Sequence, residues 1–282
     1  MSLIIAKIHK SFFRIESDTQ VTFHNTRMPR HSGKLKSIII SQDIVVSFAG
    51  NYEYGCESLN DILEINSPKV EEIIEILLKS NISSDNEVEY ILSIANNGKE
   101  IIEIKENKVR RNLVSAWIGN VEGFKKFQKC FVPMMNSGLP DKLGAEYIFV
   151  DCFKSVMNSV QTVGDFSIAV KLGDYGFYYT GSRKRTVSAK TSKDSLNQGS
   201  DPLDIDIELR PENGDFSIEY LRSDDRLSIG IYYSLGLFGV LLNPKLSNEV
   251  NYIKAVDKKE FINSIKSEYN IDLIIDPTTT YQ

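Results

Sequence analysis

The chain has 282 residues, and its apolar 41% is spread along its length, so it can bury a substantial core and is not largely disordered. Its formal charge of -5, from 33 basic and 38 acidic residues, gives no electrostatic reason to expect nucleic acid as the main partner. Cys56, Cys130 and Cys152 form no CxxC pair and suggest neither a disulfide framework nor a sulfur-rich zinc site. No apolar run reaches transmembrane length, and the opening LIIA is a poor secretory signal, short and without a basic flank. A cytoplasmic protein with no membrane partner is the expectation.

Residues 3–8 read as a strand and FFRIES as its neighbour, joined across the short HKS turn. Polar residues from Thr22 to Ser37 form a long connection, punctuated by Pro29 and Gly33. SIIIS and DIVVSFAG give two further strands, after which Gly50 and Gly55 permit tight turns. SPKVEEIIEILLKS predicts a helix, with Pro68 in its first turn behind a Ser67 cap. Its apolar face is Val70, Ile73, Ile74, Leu77 and Leu78.

VEYILSIANNGKEIIEI predicts a hairpin around Asn96, Asn97 and Gly98, and VSAWIG another strand. VEGFKKFQKC and residues 142–160 read as helices, the second with Ala145, Phe149, Phe153 and Val156 at helical spacing. FSIAVKL and GFYYTG return to strand character, and a polar tract from Ser182 to Pro202 reads as a loop. LDIDIELR alternates strictly, FSIEY and LSIGIYY add strands, and KKEFINSIKSEY closes with a helix. Strands, then helices, then strands, mostly joined as hairpins, fit two mainly antiparallel sheets with helices outside rather than a parallel nucleotide-binding sheet.

Several residue groups look chemical and have plainer readings. His9, His24 and His31 show no clean ligand spacing. Asp204, Asp206 and Glu208 look metal-like but read, by strict alternation, as the solvent face of a strand, and the RKR of residues 183–185 reads as a solvated loop in preference to a site for a phosphate or acidic tail. Trp117 reads as a core or interface aromatic. No cofactor and no metal are expected.

The start of the chain is different. Met1 precedes a small side chain, so trimming is expected to expose Ser2, with a hydroxyl and a free α-amine on one residue. A serine hydroxyl needs an adjacent base, and an α-amine of reference pKa about 7.7–8.0 needs only a modest downward shift to be that base near neutrality. Asp18 ends the second strand of the opening hairpin, and Lys36 begins the next strand. Gly50 follows VVSFA, where an unshielded N–H could face an oxyanion. Each has an ordinary reading alone: Ser follows Met commonly, Asp18 fits a turn cap, Lys36 a strand flank and Gly50 a turn.

Taken together, SLIIAKIHKSFFRIESDTQVT followed by KSIIISQDIVVSFAG resembles the opening of the N-terminal nucleophile hydrolases of the proteasome β-subunit and bacterial HslV type. The resemblance is best over residues 2–50 and weakens towards residue 180. It matches Ser2 to the nucleophile, Asp18 to the acid, Lys36 to the lysine and Gly50 to the oxyanion-side glycine. WIGN, with Gly119 and Asn120, resembles the family's glycine-serine turn, and TVGDFSIAV its return to the sheet, with Thr162 near the serine position. Three positions depart from the pattern: Gln20 where Arg is common, Asn120 for Ser, and Ser159 where Asp is frequent.

The resemblance implies an α+β fold, a four-layer αββα sandwich of two mainly antiparallel sheets. Residues 2–282 are then one domain, with 200–282 as a C-terminal elaboration. It implies amide-bond hydrolysis through an acyl-enzyme, a peptide or small amide as substrate, and assembly as a homo-oligomer. A non-catalytic structural or regulatory subunit on the same sandwich is the alternative from another class.

Overall fold

The computed structural model describes residues 2–19, 22–23, 26–27, 34–96, 98–160, 162–163, 166–183, 218–224, 228–234, 237–243 and 251–275. The expected long connection is described only at its ends and at the two-residue strands β3 (Thr22–Phe23) and β4 (Thr26–Arg27). LDIDIELR, the RKR tract beyond Arg183, Gln20, His24 and His31 lie outside the described residues.

The opening hairpin forms as β1 (Leu3–His9) and β2 (Phe12–Asp18). It sits inside a five-stranded antiparallel sheet of order β10-β1-β2-β11-β12, completed by β10 (Ser115–Gly119), β11 (Phe166–Gly173) and β12 (Gly176–Arg183). A second five-stranded antiparallel sheet runs in sequence order from β5 (Ser37–Ser41) and β6 (Ile44–Gly50) through β7 (Val88–Ile94) and β8 (Glu100–Lys105) to β9 (Lys108–Leu113).

Strand alternation assigns the layers. Ile4, Ala6, Phe13 and Ile15 pack toward the second sheet in one large core, while Leu3, Ile5 and Phe12 point the opposite way. There they meet Phe127 and Phe131 of α3 (Val121–Met135) and Phe149 and Phe153 of α5 (Ala145–Ser159). On the far side of the second sheet lie α1 (Tyr52–Glu64) and α2 (Val70–Ser83), with Leu59, Ile62, Ile73, Ile74 and Leu77 buried. The layers are therefore helix, sheet, sheet, helix: an αββα sandwich. Because both faces of β1 are covered, LIIA is continuously apolar instead of alternating.

Several local expectations need correction. Gly55 is not in a turn; it lies within α1, where a Cβ would sit 2.2 Å from the Phe48 ring. α1 escaped notice because its sequence is polar, with a narrow buried stripe at Gly55, Ser58, Leu59 and Ile62. Ser67 does not cap α2; it takes φ 59°, the N-cap is Lys69, and the Glu72 carboxylate accepts the Lys69 N–H at 2.8 Å. The predicted helix over 142–160 divides at Gly144 (φ 84°) into short α4 (Leu139–Leu143) and α5. β9 was hidden by its composition, KVRRNL, the charged make-up of an edge strand. Cys130 and Cys152, expected to be unpaired, form a disulfide joining α3 to α5. No helix among the described residues is long and apolar enough to cross a membrane.

The C-terminal elaboration is a third antiparallel sheet, order β16-β15-β14-β13-β17. Its strands are β13 (Ile218–Ser223), β14 (Ile229–Tyr233), β15 (Phe238–Leu242), β16 (Asn251–Lys254) and β17 (Leu273–Ile275). Phe238, Val240 and Leu242 join the sandwich core from one face, and Leu241 packs from the other toward α6 (Lys258–Tyr269). Phe261 of α6 is fully buried over Gly239, where a Cβ would lie 2.1 Å from its ring.

Phe261→Ala is expected to cost about 3–5 kcal/mol. The shared core predicts that Trp117 fluorescence, reporting the sandwich, and far-ultraviolet circular dichroism then shift to the same lower denaturant midpoint. A Trp117 transition left at the wild-type midpoint would mean that the elaboration unfolds independently, against a single domain.

Candidate active site

One end of the first sheet gathers most of the residues singled out in the sequence. The Ser2 carbonyl accepts the Asn120 N–H at 2.7 Å, and Leu3 pairs with Gly119 across β1 and β10. Gly119 has φ 90°, and a Cβ there would fall 2.0 Å from the Ser2 oxygen. Only glycine lets the two segments approach so closely. Ser2 itself is buried.

Asp18, the last residue of β2, is completely buried. Its Oδ1 accepts the Leu3 N–H at 2.8 Å, and its Oδ2 meets the Lys36 Nζ at 3.2 Å. A hairpin brings the end of its second strand back to the start of its first, so Asp18 reaches the residue after Ser2 by register alone. Lys36, also buried, enters from the other sheet, where its carbonyl accepts the Phe48 N–H at 2.9 Å. Burial lowers the Lys36 pKa from its ordinary value, and the Asp18 carboxylate opposes that by charge and hydrogen bond.

Gly50 closes β6 with φ 108°, its Cα packed on the Glu87 carbonyl. The preceding Ala49 Cβ is 3.1 Å from where a Gly119 Cβ would be, so the end of β6 lies against the strand that holds Ser2. The second segment is present but differently occupied. Asn120 caps α3, its Oδ1 accepting the Gly123 N–H at 2.6 Å, while its Nδ2 donates to Thr162 Oγ1 at 2.8 Å. Ser159 is not drawn into this group; its exposed hydroxyl bonds back to the Ser155 carbonyl at 2.9 Å in the last turn of α5.

Several further charged residues are buried or half-buried here without a motif in the sequence to mark them. Glu89 of β7 reaches across the sandwich, accepting the Gly119 N–H at 2.8 Å and pairing with Lys105 at 2.9 Å. The one available signal was a carboxylate on the inward face of VEYILSI, where Ile91 and Ser93 are its alternate neighbours. Lys34, two residues before Lys36, is buried with its ammonium 4.1 Å from the centre of the Tyr52 ring. Glu16, fully buried on β2, is held by Arg14, and Glu146 supports the same Arg14 from α5. Those carboxylates outweigh the burial that would lower the Arg14 pKa, and raise it. Among the described residues no group of three or more His, Cys, Asp and Glu could hold a metal ion.

No family model matches the chain, and no curated protein matches it by sequence. The α+β architecture, two antiparallel sheets flanked by helices, is broadly consistent with N-terminal nucleophile hydrolase-like folds.

Asp18→Asn removes the carboxylate that compensates a buried ammonium. A loss of about 3–5 kcal/mol is expected near neutral pH. The sign with pH follows from the lowered Lys36 pKa. Between that value and 10.5 the unfolded chain binds the extra proton, so stability attributable to Lys36 rises with pH across this window. In the variant the burial penalty is unopposed, the folded pKa falls further, and the rise is larger. Denaturant unfolding at pH 7 and pH 10 measures it; equal losses at both would contradict the coupling.

Proposed function

We propose that the chain is an N-terminal-serine amidohydrolase, a proteasome-like peptidase that cleaves amide bonds through an acyl-enzyme. The carrying observation is the Asp18 carboxylate, buried and shared between the Leu3 N–H and the Lys36 ammonium, one residue from Ser2. A first residue anchored in this way would be held for chemistry, and a nearby ammonium would favour the neutral form of an α-amine by repulsion.

In the proposed reaction, removal of Met1 frees the Ser2 α-amine. The amine takes the Ser2 hydroxyl proton as Oγ attacks the amide carbonyl carbon, and the carbonyl electrons move to oxygen. The Gly50 N–H meets that oxyanion, helped by the Gly119–Asn120 turn. The C–N bond then breaks, the amine gives its proton to the departing nitrogen, and the acyl group remains on Oγ. Water enters by the reverse proton path and releases the acid. The backbone approach at Gly119 and the adjacency of Ala49 support bringing these groups together. Gly119, Asn120 and Thr162 are assigned a supporting role, and Ser159 the weakest one.

One observation favours a non-catalytic subunit on the same sandwich. Both polar ends of the Asn120 side chain are committed, to capping α3 and to Thr162, where the family carries a serine. Small-amide hydrolysis is the second enzymatic reading, and libraries of peptides and acyl amides separate it from peptidase activity.

Treatment with a fluorophosphonate, followed by intact mass and peptide mapping, is expected to give one adduct on Ser2, absent in Ser2→Ala, with that variant's fold unchanged. Full turnover in Ser2→Ala, or activity in protein that retains Met1, would reject the mechanism. A homo-oligomer assembled through the outer helices or sheet ends completes the proposal, in a cytoplasmic setting with neither nucleic acid nor membrane as partner. Native mass spectrometry is expected to show a defined multimer; a monomer at every concentration would refute assembly.

A further inference from the structure

We infer that Glu89 is a positioning residue for this site: a charged strut from the second sheet that fixes the Gly119–Asn120 turn, and through it Ser2. The inference rests on the proposed role of Ser2 for its consequence, but the strut is defined by contacts that do not depend on that role.

The two sheets of the sandwich share no ladder among the described pairings, so their ends are registered only by packing and by side chains that cross between them. Glu89 is one that crosses at the Ser2 end. It is paired with Ala49 in the β6–β7 ladder, and the Ala49 Cβ lies 3.1 Å from where a Gly119 Cβ would be, next after the Ser2 carbonyl. From there its Oε2 accepts the N–H of Gly119, the last residue of β10. Its Oε1 is held by Lys105, whose ammonium also lies 4.3 Å from the centre of the Trp117 ring on β10. Trp117 in turn stacks on Phe124 of α3 at 4.2 Å. Both carboxylate oxygens are therefore engaged, and the pair is largely shielded, with side-chain exposures of 20% and 15%.

The same short stretch fixes the other half of the site. The Glu87 carbonyl accepts the Asn51 N–H at 2.8 Å and is the surface against which Gly50 packs. The Glu87 carboxylate takes the Asn51 Nδ2 at 2.9 Å. Residues 87–89 thus hold Gly50 by their backbone and Gly119 by a side chain. The separation between the proposed oxyanion donor and the turn bonded to the Ser2 carbonyl is set by one strand entrance. A charged acceptor suits the task, because a hydrogen bond to an ionised group is shorter and stronger than a neutral one.

The test compares full-length Glu89→Ala, Glu89→Gln and Lys105→Met with the unsubstituted chain. Gly119 amide exchange by nuclear magnetic resonance reads the strut, and the fluorophosphonate modification rate of Ser2 reads its consequence. In E89A the Gly119 amide is expected to exchange about tenfold faster or more. The Ser2 rate at saturating probe is expected to fall by about 10²-fold, with the half-saturating concentration unchanged. E89Q keeps an oxygen for the Gly119 N–H but loses the charge, and K105M loses only the counter-ion, so both should fall between; they also carry the test if E89A does not fold.

A Gly119 exchange rate unchanged in all three variants would overturn the strut. Faster exchange with an unchanged Ser2 rate would overturn the positioning role and leave Glu89 as a stabilising contact only. If the unsubstituted chain is itself not modified at Ser2, the amidohydrolase reading fails; the strut is then judged by Gly119 exchange alone.

Discussion

A carboxylate taken wholly out of water loses its hydration on both oxygens, and Asp18 replaces it with the two partners that define the candidate site. One is the backbone N–H beside Ser2, and the other is the Lys36 ammonium from the opposite sheet. Neither charge would be tolerated at this depth alone, since desolvation of an unpaired ion costs several kcal/mol. The pair is therefore more than a local contact. It obliges the start of β1, the end of β2 and the entrance of β5 to occupy one place, and so fixes how one sheet meets the other at this end. Apolar residues of similar volume often hold such a place as tightly. What the ion pair adds is position: it ties the Leu3 N–H, the end of β2 and the entrance of β5 to one point.

The surrounding backbone is shaped by the same closeness. Gly119 and Gly50 both take positive φ, and both pack a Cα against a carbonyl oxygen where a Cβ would fall at 2.0 Å. These are the ends of β10 and β6, the strands on which the turn at Ser2 and the proposed oxyanion donor sit. Away from this end the sandwich is apolar and aromatic. Phe127, Phe131, Phe149 and Phe153 bind α3 to α5 and to the outer face of the hairpin, and the Cys130–Cys152 bridge lies within that cluster. The disulfide contrasts with the expected cytoplasmic setting, where thiols are kept reduced. The aromatic packing joins the same two helices alongside the bridge.

The legible parts of the fold were those where one physical signal dominated. Continuous apolar runs with hairpin turns gave β1, β2, β5 and β6, and helical spacing gave α2, α3 and α5. What stayed hidden had mixed signals: α1 with Gly55 inside it, β9 with its edge charges, and β15, where FGVLL follows turn residues too closely to stand apart. Cys130 and Cys152 are 22 residues apart, and only the packing of α3 on α5 makes them neighbours. Among site residues, Asp18 and Lys36 were readable because hairpin register and strand entrance predict where they lie. Glu89 was not, because its role depends on which strand of the other sheet it faces. A single sequence contains the alternation that turns Glu89 inward, but not the sheet-to-sheet register that delivers it to Gly119.

That difference bears on the balance between an enzyme and a silent subunit. At the turn where a hydroxyl would add a proton carrier, Asn120 instead spends its side chain as a helix cap and a tie to Thr162. The turn is thus mechanical: it locates the Ser2 carbonyl and starts α3. If chemistry occurs here, the proton handling must rest on the terminal amine and the Asp18–Lys36 pair, with little help from the second segment. Such a site needs accurate placement more than additional titratable groups, which is consistent with buried or shielded carboxylates, Asp18 and Glu89, being spent on the backbone N–H groups of Leu3 and Gly119. The buried Lys36 costs desolvation that an apolar side chain would not. Under the proposed reaction that cost places an ammonium beside Ser2; in a subunit without activity the same pair serves to fix where the two sheets meet at this end.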